Sequence, residues 1–254
     1  MIKKYDLKWL KEKVDSEDIV EFDFFYGHEN NNKHEVGNFC FSQWYESPFT
    51  INSITYKTAE HWMMAHKALL FNDKNKYHAI LNCNKPSKAK ALGRQIKGYD
   101  ERIWDSNKLN IVISGNIHKF NQYPKFADYL LKTKSKILVE ASPSDKIWGI
   151  GLSLENKEIY TINAWNGENM LGFALMSARD FLMEFGHFGP LENIFIAPWY
   201  KFSNTADNPN SQLTEKFGDY EKKFNDYFQN LSPRDKIIYK LFNPITSQWE
   251  GFLK

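Results

Sequence analysis

The run "TAEHWMMAHK", residues 58–67, gathers one carboxylate, two imidazoles and one amine in a short stretch. Such residue types serve metal ligation, acid–base or nucleophilic catalysis, or core packing. A zinc-binding helix uses His-Glu-x-x-His, which sets two imidazoles one turn apart on one face. Here Glu60 precedes His61 and the next histidine is His66. That spacing turns the two rings roughly 140° apart around a helix. One helix cannot bring both to one ion, so both histidines read as satisfied surface or core groups.

Glu60 and Lys67 share a helix face two turns apart, with a rise of about 10.5 Å between them. That is too long for a helix-surface ion pair. It suits a small molecule lying over Met63 and Met64. A carboxylate beside Trp62 and Met63 is suited to proton transfer, and a lysine with little water around it to nucleophilic attack. The plainer alternative makes Glu60 a solvated first-turn residue favoured by the helix dipole. Spacing alone leaves that alternative ahead.

Two more stretches concentrate polar chemistry. Between Lys74 and Tyr99 stand Lys74, Lys76, Lys85, Lys88, Lys90, Arg94 and Lys97, with no acid among them. Lys90 and Arg94 are four apart, a spacing at which like charges repel unless a phosphate lies between them. A solvated face, or pairing with Asp100 and Glu101, is the plainer reading. In "EASPSDKIWGIGL", residues 140–152, Asp145 sits in a Ser/Pro turn before Trp148, Gly149 and Gly151. Glycines admit a ligand close to the backbone, and an indole stacks on a nucleobase. A tight turn with Trp148 in the core is the alternative.

The elements that must position these groups follow from periodicity. Residues 3–14 read as a short helix, "IVEFDFFY" (19–26) as a strand, and 47–58 as a hairpin around Asn52-Ser53. Helices are expected from residue 59 to about 70, over 87–97 after Pro86, over 101–121 and over 167–185. "KILVEA" (136–141) reads as a buried strand and "NKEIYTIN" (156–163) as a second one. Residues 186–210 read as mostly connection. Two further helices follow, one through Leu213, Phe217, Tyr220, Phe224 and Phe228. The other opens at Ser232-Pro233 with capping-box spacing to Asp235. The expected organisation is a domain over 1–189 and a helical extension over 190–254 packed on it.

Composition sets the frame. A chain of 254 residues with 42% hydrophobic and 16% aromatic residues holds a real core, and a net charge of +2 makes any anion binding local. Cys40 and Cys83 cannot build a disulfide framework or a cysteine-rich zinc site. A reducing cytoplasm is the expected setting. The first residues have no signal-peptide pattern. No run approaches the ~20 apolar residues of a membrane span.

The pieces "FSQWYESPF" (41–49), "YKTAEHWMMAHKAL" (56–69), "SKAKALGRQ" (87–95), "IWD" (103–105), "VEASPSDKIWGIGL" (139–152) and "GENMLGFALMSARD" (167–180), in this order, resemble the NADAR family, also called YbiA-like. The resemblance runs from about Phe22 to Leu182. It implies a mainly helical α+β domain around a small β-sheet, here with a C-terminal helical extension. It also implies N-glycosidic bond hydrolysis, either of ADP-ribose attached to guanine in nucleic acid or of phosphorylated riboflavin-synthesis intermediates. Glu60, Lys67 and Asp145 then fall on catalytic positions. Ser42, Lys90, Arg94, Trp104, Trp148, Gly149 and Gly151 fall on substrate-binding ones. Gln43 and Trp44 stand where an asparagine and a phenylalanine are usual, and Lys108 where an arginine is.

Cleavage of an N-glycoside builds positive charge on the ribose and negative charge on the base, so it needs a carboxylate and a donor. Neither a metal nor another cofactor is expected. The partner is a small molecule containing ADP-ribose or ribose phosphate, carried on DNA or RNA in one version. Competing readings are a non-catalytic ADP-ribose reader and an interaction module working through residues 190–254.

Overall fold

Short strands and amphipathic helices alternate along the chain. The structure is a computed structural model that describes residues 5–16, 19–29, 35–189, 195–202, 211–245, 249 and 251–253. In chain order the elements are α1 (Leu7–Asp15), β1 (Phe22–Phe25), β2 (Phe49–Ile51), β3 (Ile54–Tyr56), α2 (Ala59–Leu70), α3 (Lys74–Asn82), α4 (Pro86–Gly93) and α5 (Glu101–Gln122). Then come α6 (Pro124–Lys132), β4 (Ile137–Glu140), α7 (Met170–Phe185), α8 (Pro198–Lys201), α9 (Ser211–Asn230) and α10 (Pro233–Phe242). The class is α+β and mainly helical, as expected. Among the described residues no helix is long and apolar enough to cross a membrane. The chain divides into two units, residues 1–49 with 115–188, and residues 50–114 with 189–254.

In the first unit β1 pairs in parallel with β4, from Phe22 opposite Ile137 to Phe25 opposite Glu140. Ile137, Leu138 and Val139 are buried, a continuous apolar run of the kind a covered parallel strand requires. Helix α7 is buried nearly all round and packs on β4. A Cβ at Gly172 would fall 2.0 Å from the Leu138 carbonyl oxygen, so the first turn of α7 rests directly on the strand. Asn169 pins that turn from the left-handed region (φ 53°). Its Nδ2 donates to the Leu138 carbonyl at 2.9 Å and its Oδ1 accepts from the Glu140 N–H at 3.0 Å.

Residues 156–163, expected as a strand, are turns that lead into a 3-10 segment, Ile162–Ala164. The Asn156 Oδ1 accepts from the Glu158 N–H at 2.8 Å, and the Trp165 Nε1 donates to the Ile159 carbonyl at 2.8 Å. These local bonds override the β-forming residue types. Helices α3 and α6 stand where no element was expected. Pro124 opens α6, and Ala127 and Leu130 form its buried side.

One buried cation in this unit has a measurable consequence. Lys119 of α5 is fully buried, and its Nζ donates to the carbonyls of Cys40 (2.7 Å) and Ser42 (2.9 Å). Burial pushes its amine from the ordinary 10.5 down to about 8. The unfolded chain therefore binds the extra proton between these values, and the stability contribution rises with pH through that window. It is fully present above 10.5 and lost as pH falls through about 8. Cys40, pushed up to about 12 by burial, acts in the opposite sense from pH 9 upward. The prediction is therefore a difference. The stability of the wild type relative to Lys119→Met should increase from pH 8 to pH 10 in denaturant titrations, and a flat difference would show that Lys119 titrates normally.

In the second unit the β2–β3 hairpin turns through Asn52 (φ 50°) and Ser53 (φ 63°). Two consecutive positive φ values mark the two-residue turn that suits strand twist. Thr58 then caps α2, its hydroxyl oxygen accepting from the His61 N–H at 3.3 Å. The Trp62 Nε1 donates to the Ile111 carbonyl of α5 at 2.8 Å. Helix α4 ends at Gly93, short of the expected residue 97, and the chain turns away through Gly98 (φ 70°). A Cβ on Gly93 would lie 2.0 Å from the Met64 Sδ, so the glycine leaves room for the Met64 side chain where α4 packs on α2.

Helices α8, α9 and α10 share an aromatic cluster in which Trp199, Phe224, Phe228, Tyr239 and Trp249 are buried. The Tyr239 hydroxyl donates to the Phe195 carbonyl at 2.9 Å, and the Ser114 hydroxyl of α5 to the Leu241 carbonyl. The expected cap holds too, with Ser232 Oγ accepting from the Asp235 N–H at 3.1 Å. The aromatic stripes of 211–242 are thus spent on packing within the unit. Leu213 lies among residues whose side chains are not described.

Candidate active site

Helix α2 carries the first two candidates on one face. Glu60 is 2% exposed and its Oε1 is closed off from solvent. The reading of Glu60 as a solvated first-turn group therefore fails. Lys67, two turns on, is half-buried. Its Nζ lies 4.1 Å from the centre of the Tyr99 ring and 5.1 Å from that of Trp104. Both distances are those of a cation held over aromatic faces. Burial first, and the Arg94 guanidinium second, hold the Lys67 amine below its ordinary value. Lys67, Arg94 and Trp104, singled out from the sequence, are thus brought together, and α2 places Glu60 on the face that carries Lys67.

Tyr99 is the residue that sequence reasoning missed. It is 46% exposed and meets Phe71 edge-on at 5.4 Å. The available signal was an aromatic immediately after the turn glycine Gly98, inside the basic stretch. Lys90 lies one turn before Arg94 on α4 and is half-buried, whereas Arg94 is exposed at the helix end. Trp104 is buried on the first turns of α5, and Lys108 one turn later is held by Asp105 at 2.8 Å.

The histidines of α2 have structural work. The His61 Nδ1 meets the Thr58 hydroxyl at 2.8 Å, and its Nε2 meets the Cys83 carbonyl at 3.2 Å. Burial lowers its pKa. His66 stacks on Trp62 with ring centres 3.6 Å apart, and its Nδ1 lies 3.1 Å from the Trp62 carbonyl.

In the first unit Asp145, Trp148, Gly149 and Gly151 lie on one loop after β4. Asp145 Oδ1 accepts from the N–H groups of Ile147 (3.0 Å) and Trp148 (2.8 Å), so this carboxylate shapes the turn that presents the half-buried Trp148. A Cβ on Gly149 would approach the Glu140 carbonyl oxygen to 2.9 Å, and Gly151 has φ +70°. Gly149 lets the loop fold back on β4, and Gly151 turns it past Asn166. Ser42 follows the 3-10 segment Asn38–Phe41. Its Oγ accepts from the Trp44 N–H at 3.1 Å and its carbonyl from Lys119 at 2.9 Å.

The fold is thus a mainly helical α+β one in which the half-buried Lys67 lies against two aromatic rings and beside the Arg94 guanidinium. The NADAR domain matches residues 24–183, and the chain belongs to the NADAR family. It is 44% identical over 162 residues to N-glycosidase R617 of Acanthamoeba polyphaga mimivirus, covering 62% of this chain and 94% of that one. It is 33% identical over 132 residues to the riboflavin biosynthesis protein PYRR of Zea mays, covering 49% of this chain and 19% of that one. Its fold is similar to the NMR structure of Escherichia coli YbiA, with a TM-score of 0.51 and 23% identity over 67% of this chain and 92% of that one.

Proposed function

We propose that this chain is an N-glycosidase that removes ADP-ribose from guanine by hydrolysing the bond between ribose and base. The observation that carries the reading is the Lys67 amine, desolvated between Tyr99 and Trp104 beside Arg94, on the helix face that also bears the buried Glu60. Support comes from the N-glycosidase R617 name of a relative of this chain.

In the reaction the bond between the anomeric carbon and the base nitrogen breaks, and its electron pair leaves with the base, which takes a proton. The oxygen of water bonds to the anomeric carbon, and its proton passes to a carboxylate. Glu60 is that carboxylate, stabilising the cationic ribose before it accepts the proton. Arg94 with Lys90 holds phosphate, and Trp104 stacks on the base. Lys67 either holds phosphate or ribose oxygens as a cation, or attacks the opened sugar as a neutral amine. Asp145 keeps the catalytic role, and Trp148 the substrate-binding role, that the family resemblance implies. Ser42, Gly149 and Gly151 keep the substrate-binding roles that the family resemblance implies. No step uses a metal, so activity should be unchanged in excess chelator.

The similarity to PYRR favours a second reading, an N-glycosidase acting on a phosphorylated riboflavin-synthesis intermediate. One experiment separates the readings. The full chain is incubated with ADP-ribosylated guanosine, an ADP-ribosylated oligonucleotide and phosphorylated ribosyl-pyrimidine intermediates, and products are read by mass spectrometry. Release of ADP-ribose from the first two is the expected result. Release of ribose phosphate from the third alone would install the second reading. Tight ADP-ribose binding with no release from any substrate would make the chain a reader.

A further inference from the structure

Helix α2 has a second face with a cavity of its own. Trp62, His66 and Leu69 project roughly opposite to Glu60 and Lys67 on a 3.6-residue helix. They line a cavity of about 590 Å³. The same unit supplies its other walls: the β2–β3 hairpin with Tyr56, Tyr77 of α3, and Ile196, Phe242 and Asn243. The last three lie beyond residue 183, where the NADAR match ends, so this cavity depends on the C-terminal segment.

Its lining selects a chemical class. The volume falls within the roughly 300–1,000 Å³ of small-molecule sites. Among the described residues no Lys, Arg, Asp or Glu lines it, so a phosphate or carboxylate there would lose water without gaining a counter-charge. Rings back the wall, where Tyr56 meets Trp62 edge-on at 4.9 Å and the His66 ring lies 3.6 Å from that of Trp62, while the half-buried Tyr77 and Leu69 line the space itself. The carboxamides of Asn52 and Asn243 at the wall bring both donors and acceptors. We infer that this cavity binds an uncharged planar heterocycle of nucleobase type, on the face of α2 opposite the lysine. The inference does not depend on the N-glycosidase reading.

The test is calorimetric titration of the full chain with adenine, hypoxanthine and AMP. The free bases should bind, and AMP should bind at least about tenfold more weakly, the discrimination an uncompensated charge imposes. Binding of the bases should persist in Lys67→Met. It should weaken about tenfold or more in Ile196→Trp, which fills the cavity from a position that is 60% exposed. Methyl NMR of the wild type locates the site without any variant, because adenine should shift Ile51, Ile54 and Ile196 and leave distant isoleucines unmoved. No binding of either base would overturn the proposal, as would AMP shifting Ile51, Ile54 and Ile196 as strongly as adenine does. So would binding that is lost in Lys67→Met or unaffected in a folded Ile196→Trp, or shifts confined to isoleucines outside this wall.

Discussion

Lys67→Met should lower turnover of the ribosyl–base substrate by about 10²–10⁴-fold, the usual effect of removing a group that works in the transition state, while the protein stays folded. The stem of the side chain is kept, so packing beside Tyr99 and Trp104 survives. The lost cation–π attraction is worth only about 0.5–1 kcal/mol at a partly exposed position. Steady-state assays beside a thermal melt check both halves. Lys67→Arg then separates the two roles. Arginine retains the charge and cannot form an imine, so a binding role leaves substantial activity and a nucleophilic role leaves none. In the nucleophilic case, borohydride traps a covalent adduct on the wild type. The pH profile carries a sign as well. Burial and Arg94 both lower the Lys67 pKa. A nucleophilic amine therefore gains activity as pH rises through a value below the ordinary lysine range. Removing the like charge in Arg94→Gln should move that limb to higher pH. A limb that falls with pH instead identifies the charged form as the active one.

The reach of the sequence can be judged on particular residues. Helix α2, the hairpin at Asn52-Ser53, β4 and the α7 stripe were readable because periodicity and turn chemistry are local. The strand expected over 156–163 failed because Asn156 and Trp165 spend their hydrogen-bonding groups on nearby backbone, which residue type does not reveal. Lys67 and Arg94 were singled out by residue type and spacing, and Trp104 by family resemblance, but their grouping follows from the packing of α4 on α2, with Gly93 against Met64. A glycine's role as a close-contact point is visible only when its neighbour is known. Tyr99 went unnoticed for the same reason, since its partner lies 32 positions earlier, at Lys67. Lys119 reads as an ordinary helix cation in sequence, and only the fold shows that it is sealed against two carbonyls.

Glu60→Gln should separate chemistry from folding most cleanly. The amide matches the carboxyl in size, so the substitution opens no cavity. Turnover should fall by about 10²–10⁴-fold if the carboxylate stabilises the cationic ribose and takes the proton from water. The melting temperature is the second readout. The substitution gives up a helix-dipole attraction of about 0.3–1 kcal/mol. In return it removes a carboxylate that is 2% exposed, and taking such a charge out of water costs several kcal/mol unless it is fully compensated. The sign of the stability change therefore reports how fully the fold compensates that charge. A structural acid behaves in the opposite way, because the partners it was holding lose their counter-charge and the melting temperature drops. Loss of rate with an unchanged or higher melting temperature therefore marks a charge kept in the fold for the reaction. A lower melting temperature with full rate marks a charge kept for the fold, and would leave Lys67 and Arg94 to work with another acid.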